Sequence, residues 1–391
     1  MGETATVLKV SLAPARDRRA APPALAARGA RVVLGAGTGL AEPVAPWAHR
    51  LFGPRGAAIA ADGSFWVADT GHHRLLGWPA LPEVDDAPAE WLIGQPRFGV
   101  EGRNAKGEVG AATLNVPTGV CACGDEGLAV ADAWNHRVLI WHRAPRASHR
   151  PADVVLGQAD TRSNQINRGA DRPGADTLYW PYGVFWDGAR LWVADTGNRR
   201  VLRFDALPTR HGARADGVLG QRDFGERDEN AGAAGAATLR WPHALARWHG
   251  GLVVADAGNN RVLRWQGDPT GVLAPAGAVY GQADMQSLDH NRGAYWPSAA
   301  SLNMPYGVAV RDGRLFVADT ANSRLLRFDS PGIAEAQALA GQPGFADKGD
   351  NRWLPAARDS LCWPYAITFA GSTAVVVDSG NNRVLLWDLH A

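Results

Sequence analysis

Apolar residues along this chain come in short runs, and the polar residues that separate two of those runs recur almost unchanged. VADTGHHRLLGW (67–78) returns as VADAWNHRVLIW (130–141), VADTGNRRVLRF (193–204), VADAGNNRVLRW (254–265), VADTANSRLLRF (317–328) and VVDSGNNRVLLW (376–387). The Asp positions are 69, 132, 195, 256, 319 and 378, and an Arg follows five residues later at 74, 137, 200, 261, 324 and 383. Each run is rich in Val, Leu and aromatic residues, the composition of a buried strand. The turn between runs holds Gly and Asn, which tolerate positive φ. Each copy therefore predicts a β-hairpin with Asp closing one strand and Arg opening the next.

A fixed period across nearly the whole chain predicts a repeat architecture. Two more strands fit in each period. One starts at a Pro, in Pro-x-Gly-Val or a close variant, at Pro54, Pro117, Pro181, Pro242, Pro305 and Pro364, and leads through turns such as Asp187-Gly188 and Asp312-Gly313. The other ends in Gly-Gln, at Gln95, Gln158, Gln221, Gln282 and Gln342. Four antiparallel strands per unit, named a to d from the Pro onward, and six units predict an all-β, six-bladed β-propeller. The chain stops at Ala391 without a last d strand, whereas Arg31-Val32-Val33-Leu34-Gly35 reads as a d strand with no blade before it. We expect this N-terminal strand to complete blade six and close the ring, removing the exposed edge there.

The six copies resemble the NHL repeat family, named for an Asn-His-Leu or similar triplet after the Asp; Asn135-His136-Arg137 is the nearest match. The resemblance spans about 31–391 and implies a propeller. The family includes RNA-binding regulators, amidating lyases and extracellular sensors of receptor kinases, so the resemblance implies no single reaction. The period of about 60 residues is longer than a minimal four-strand blade needs. The expected organisation is a tail over 1–30, with a possible strand at 6–12, and one propeller domain over 31–391.

Composition adds limits. A net charge of +1 supplies no global field toward nucleic acid or membrane, and no apolar run reaches membrane-spanning length. Residues 1–30 lack the apolar block of a signal peptide, and three cysteines fit a reducing cytoplasm better than a disulfide framework. Cys121 and Cys123 read as buried apolar residues on one strand face, since a redox pair takes Cys-x-x-Cys spacing; Cys362 stands near the channel mouth. Of sixteen tryptophans, Trp78, Trp141, Trp265 and Trp387 share with Phe204 and Phe328 the end of strand c, a place for packing between blades.

Extra length enters each repeat between Gly-Gln and the next Pro, at about 36–53, 96–116, 159–180, 222–241, 283–304 and 343–363. These inserts and the Asp-turn-Arg hairpins emerge on one face, where binding is expected. An Asn recurs in five inserts (104, 167, 230, 291, 351), followed by a Leu (114, 178, 239, 302, 361). Features common to the blades read as structural: the Asn tying its loop to itself, the Leu capping the blade, the Asp accepting from its own turn, the Arg paired with an Asp. Lys+Arg minus Asp+Glu over the inserts is 0, +1, 0, −1, −1 and 0, a sum of −1. Phosphate binding needs a positive surface, so nucleic acid is not expected as a partner.

Positions that differ between blades carry more information. The residue after each strand-a Pro is Arg55, Thr118, Tyr182, His243, Tyr306 or Tyr365. Strand a is innermost in a propeller, so these six are expected to ring the mouth of the central channel and bind a polar or anionic small molecule. In an enzyme, His243 would be the base, Tyr182 or Tyr306 the acid and Arg55 the charge stabiliser. His72, His73, His136, His243 and His290 show no zinc-site spacing, so no metal or other cofactor is assigned. The set holds no carboxylate, unlike propeller hydrolases that keep calcium in the channel. The expected function is a rigid cytoplasmic scaffold binding a small molecule or a protein partner on the loop face. Trp47, Trp134, Trp296 and Trp353 are the candidate anchors for a protein. The alternative is a lyase or hydrolase at the channel mouth.

Overall fold

The structure, a computed structural model, describes residues 21–35 and 45–390 of the chain; the possible strand at 6–12 lies outside these. Six four-stranded antiparallel sheets stand around a central channel. Blade 1 holds β2–β5 (Gly56–Ile59, Phe65–Asp69, Arg74–Trp78, Trp91–Ile93) and blade 2 holds β6–β9 (Pro117–Cys123, Gly127–Asp132, Arg137–Trp141, Val154–Leu156). Blade 3 holds β10–β13 (Pro181–Trp186, Leu191–Asp195, Arg200–Phe204, Gly217–Leu219) and blade 4 holds β14–β17 (Pro242–Trp248, Gly251–Asp256, Arg261–Arg264, Ala278–Tyr280). Blade 5 holds β18–β21 (Pro305–Arg311, Arg314–Asp319, Arg324–Phe328, Ala338–Ala340). Blade 6 holds β22–β24 (Pro364–Ala370, Thr373–Asp378, Arg383–Asp388), and its fourth strand is β1 (Val32–Gly35). Closure is as the pattern predicts: β1 pairs antiparallel with β24, Val32 opposite Leu386 and Gly35 opposite Arg383.

The apolar runs bury between blades rather than within them. Each of the six core clusters draws residues from two adjacent sheets. Trp141 of blade 2 packs with Trp66 of blade 1, and Trp78 of blade 1 with Val375 and Leu386 of blade 6. Residues 21–30, before β1, reach blade 5 as well. Ala24 N–H donates to Leu339 O at 2.8 Å, and Ala24 and Leu25 are buried. The Gly of Pro-x-Gly-Val has its reason here. The innermost strands approach so closely that a Cβ on Gly183 would lie 1.8 Å from the His243 carbonyl oxygen, and one on Gly56 2.1 Å from that of Thr118.

The hairpin network welds the long inserts to the blades. In blade 2, Arg137 Nε donates to Asp132 Oδ2 at 2.8 Å, and its remaining nitrogens donate to Gly110 O, Thr113 O and Thr161 O. All six such Arg–Asp pairs have both side chains fully buried. A single 3-10 turn, such as Ala133–Asn135, joins the strands and closes on itself through His136 N–H to Ala133 O. The Asp is therefore free to reach outward. The Asp does accept from its own turn, Asp132 Oδ2 from Asn135 Nδ2 at 2.8 Å, but the backbone N–H expected there comes instead from the insert, Asn115 N–H donating to Asp132 Oδ1 at 2.7 Å. The insert Asn does close its own loop, Asn104 N–H to Leu114 O at 2.9 Å. Its side chain goes further, exchanging amide hydrogen bonds with the hairpin Asn135 at 2.8 and 3.2 Å. The same handshake joins Asn167 to Asn198, Asn230 to Asn259, Asn291 to Asn322 and Asn351 to Asn381. Among the described residues there is no α-helix, and no helix long and apolar enough to cross a membrane.

Candidate functional site

The six a strands line a cavity of about 490 Å³ along the channel. All six residues after the strand-a prolines line it. Five of them form a closed circuit at the loop-rich end. His243 stacks on Tyr306 with ring centroids 4.3 Å apart and planes 9° from parallel. Tyr306 meets Tyr365 at 4.6 Å, and Arg55 lies over the Tyr365 ring at 4.9 Å. Arg55 Nη1 donates to the Tyr182 hydroxyl at 3.4 Å, and Tyr182 returns to His243 at 4.9 Å. Thr118 stands apart. It is buried, and its hydroxyl donates to the Tyr182 carbonyl at 2.9 Å, a bond into the channel wall.

Charge in the channel is one-sided. Among the described residues the lining contains Arg55, Arg247 and Arg311 and no carboxylate. At the far end Arg247 pairs with Asp187 and Asp268, and Arg311 lies 3.1 Å from Asp312. Arg55 has no ion pair among the described residues; phenol rings are its neighbours. Burial, with the Arg55 charge adding to it, lowers the His243 pKa to about 4, so the imidazole is neutral at pH 7. Burial raises the Tyr306 and Tyr365 hydroxyls, which stay protonated. The mouth therefore presents one cation, three phenols and a neutral imidazole.

His243 is held by a break in the six-fold pattern that its own residue type does not reveal. Each hairpin ends in a left-handed residue at 73, 136, 199, 260, 323 or 382. At five interfaces that residue's side chain accepts the N–H of the residue just before the next blade's first Pro. The pairs are His73 with Val116, His136 with Trp180, Asn260 with Met304, Ser323 with Trp363 and Asn382 with Gly53. Each of those five N–H donors sits at positive φ. At the blade 3–4 interface the position is Arg199, which has no acceptor to offer. Trp241, the residue that would be latched, is not at positive φ. Its carbonyl instead accepts from Ala257 N–H at 3.0 Å and from His243 Nδ1 at 3.0 Å. A carbonyl can only accept, so the proton is on Nδ1 and the Nε2 lone pair is free.

The other candidate residues are accounted for elsewhere. His72 is fully buried with Nδ1 2.8 Å from Asp69 Oδ2, where the other blades place Asn. Cys121 lines the channel wall and Cys123 is buried between blades 2 and 3; burial raises both thiols. Cys362 is buried and its thiol is likewise raised to about 12. Among the described residues no three His, Cys, Asp or Glu side chains converge as a metal site would require. Trp47, Trp134 and Trp353 are exposed on the loop face, whereas Trp296 is half-buried against Tyr295.

Fold and channel define a six-bladed antiparallel β-propeller with a loop-rich face and an aromatic mouth. Three NHL repeats are found in it, the repeat model matching residues 53–78, 114–141 and 302–328 in blades 1, 2 and 5. Solved structures of similar architecture include a streptogramin B lyase, 13% identical, covering 90% of this chain and 96% of that one with a TM-score of 0.48. A protein of unknown function from Bacteroides thetaiotaomicron is 12% identical over 93% of this chain and 75% of its own, TM-score 0.51. A putative gluconolactonase is 15% identical over 95% and 97%, TM-score 0.49. Likeness at these identities concerns the fold alone. No curated protein matches the chain.

Proposed function

We propose that the protein is a rigid binding scaffold that receives a small anionic ligand at the channel mouth on its loop-rich face. The observation that carries this reading is Arg55, a half-buried cation that among the described residues faces no carboxylate in the channel and lies against the Tyr182 and Tyr365 phenols. A cation in that setting favours an anion from outside, and Tyr182, Tyr306 and Tyr365 supply hydroxyl donors at the same place. Around it, exposed Trp47, Trp134 and Trp353 leave the outer part of the same face for a protein partner. The test is calorimetric titration of the full chain with acetate and with inorganic phosphate. Arg55→Gln is expected to weaken binding at least tenfold, about 1.4 kcal/mol. His243→Ala is expected to weaken it with the melting midpoint unchanged. Affinity untouched in both variants would remove the mouth as the site.

A second reading, a lyase or hydrolase, is favoured by one observation. The Trp241 carbonyl fixes the His243 tautomer and leaves Nε2 unprotonated, the state a general base requires. In that reading Tyr182 or Tyr306 protonates the leaving group and Arg55 stabilises developing negative charge. It separates from pure binding by a ligand that turns over in the unaltered protein, and binds without turnover in His243→Ala.

A further inference from the structure

We infer that the ligand of the mouth is a carboxylate carried on a ring, with the carboxylate on Arg55 and the ring against a tryptophan wall; this rests on the binding reading above. The wall is built by the residues just before the strand-a prolines: Gly53, Val116, Trp180, Trp241, Met304 and Trp363. Each stands two residues before a mouth residue in sequence, and none of the six lines the channel cavity itself, so a ring reaching them would sit above the mouth. Trp180, Trp241 and Trp363 are 40%, 39% and 52% exposed.

The fold does not call for tryptophan there. The latch between blades uses only the backbone N–H of this residue, and Gly53 makes it in blade 1. Trp180 and Trp363 hold φ of 46° and 50°, a region that disfavours large side chains. They are thus unfavourable twice, in backbone conformation and in exposed apolar area, at positions where glycine serves the architecture. Large exposed side chains held under both penalties, two residues from the mouth in sequence, are the pattern of a binding surface.

The wall is uneven, and its unevenness agrees with the charge. Blades 3, 4 and 6 carry tryptophan and blade 5 carries Met304; blade 1 has Gly53, and blade 2 has Val116 with the inward-bonded Thr118. The low sector therefore begins at the blade that supplies Arg55, and the flat apolar surfaces stand around the remainder. A simple inorganic anion would use Arg55 and leave the wall uncovered. A neutral ring would use the wall and leave Arg55 without a counter-charge. A ring bearing a carboxylate satisfies both. Aromatic acids, by π stacking, and sugar acids, by C–H contacts to the indole faces, share that chemistry.

The experiment is calorimetric titration of the full chain with acetate, benzoate, glucuronate, benzyl alcohol and glucose. Benzoate or glucuronate is expected to bind at least tenfold more tightly than acetate and than its uncharged counterpart; which of the two does so names the source. Trp363→Ala and Trp180→Ala should each bring the ring acid down toward acetate and leave acetate itself unchanged, with melting midpoints as a check on folding. Arg55→Gln should abolish the advantage of the acid over the neutral ring. If acetate or phosphate binds as tightly as either ring acid and the tryptophan variants change nothing, this inference falls while the anion site at the mouth stands. If no anion binds and Arg55→Gln has no effect, both fall.

Discussion

Removing residues 1–35 should open the ring. The segment supplies β1, whose Val32, Val33 and Leu34 are all about 98% buried or more, the first and third packing toward blade 1 and Val33 toward blade 5. Burying a side chain of this size is worth about 1.5–3 kcal/mol. Three of them give roughly 4.5–9 kcal/mol, an upper estimate because an unfolded chain is not fully extended. Ala24, Leu25 and the hydrogen bonds from Arg358 to the Ala30 and Arg31 carbonyls are lost as well. Against a typical stability of about 5–15 kcal/mol, the loss is most of what holds the fold. It also strips β24 of its partner, leaving an unpaired strand edge that invites association between chains. Thermal unfolding by circular dichroism and size-exclusion chromatography read both effects. Leu34→Ala is the milder companion, expected to cost about 2–5 kcal/mol without aggregation. A truncated chain that stays monomeric and melts where the full chain does would refute closure by β1.

Three further outcomes follow from the blade contacts. His136 is 8% exposed, accepts the Trp180 N–H through Nδ1, and has its pKa lowered by burial to about 4. Its contribution is complete above the ordinary value of 6.5 and drains away as pH falls from there toward 4, on the order of 3 kcal/mol. His136→Asn keeps an acceptor, as Asn260 and Asn382 do, so urea midpoints at pH 7 and pH 4.5 should lie closer together than in the unaltered chain. Gly183→Ala puts a methyl on the His243 carbonyl and should lower the melting midpoint sharply, by the upper end of the about 1–3 kcal/mol that overpacking costs, because the clash is with backbone; an unchanged midpoint would refute the close approach. Arg199→Asn should restore the missing latch, raise stability by about 1 kcal/mol and draw the Trp241 carbonyl off His243. A changed His243 Nδ1–H signal in NMR would register that release, and an unchanged one would sink the account of how the imidazole is oriented.

Much of the architecture was legible before any coordinates. Hairpins, four strands per repeat, six blades and the closing strand all follow from short apolar runs, Asp-turn-Arg punctuation and a stray strand at one end. The ring of residues after the strand-a prolines was legible too, because position along a strand fixes height in a blade. Less legible was what those residues do to one another. Thr118 has the same place in its strand as Tyr182, yet its hydroxyl turns to a neighbour's carbonyl while Tyr182 joins the aromatic circuit. The insert asparagines looked like local loop ties, and half of that is so; the other half is an amide pair with a hairpin about thirty residues away.

Sequence by itself determined which backbone conformations recur and which faces are apolar, because hydrogen-bonded strands, tight turns and burial impose periods that any one repeat displays. Tertiary structure alone decided the relations between repeats. Arg199 is one more polar residue at a turn until blade 4 is set beside blade 3; only then is it the place where a latch fails, a peptide is freed and an imidazole is held. Contacts of that kind depend on rotations between sheets joined by long inserts, and no period in the chain records them.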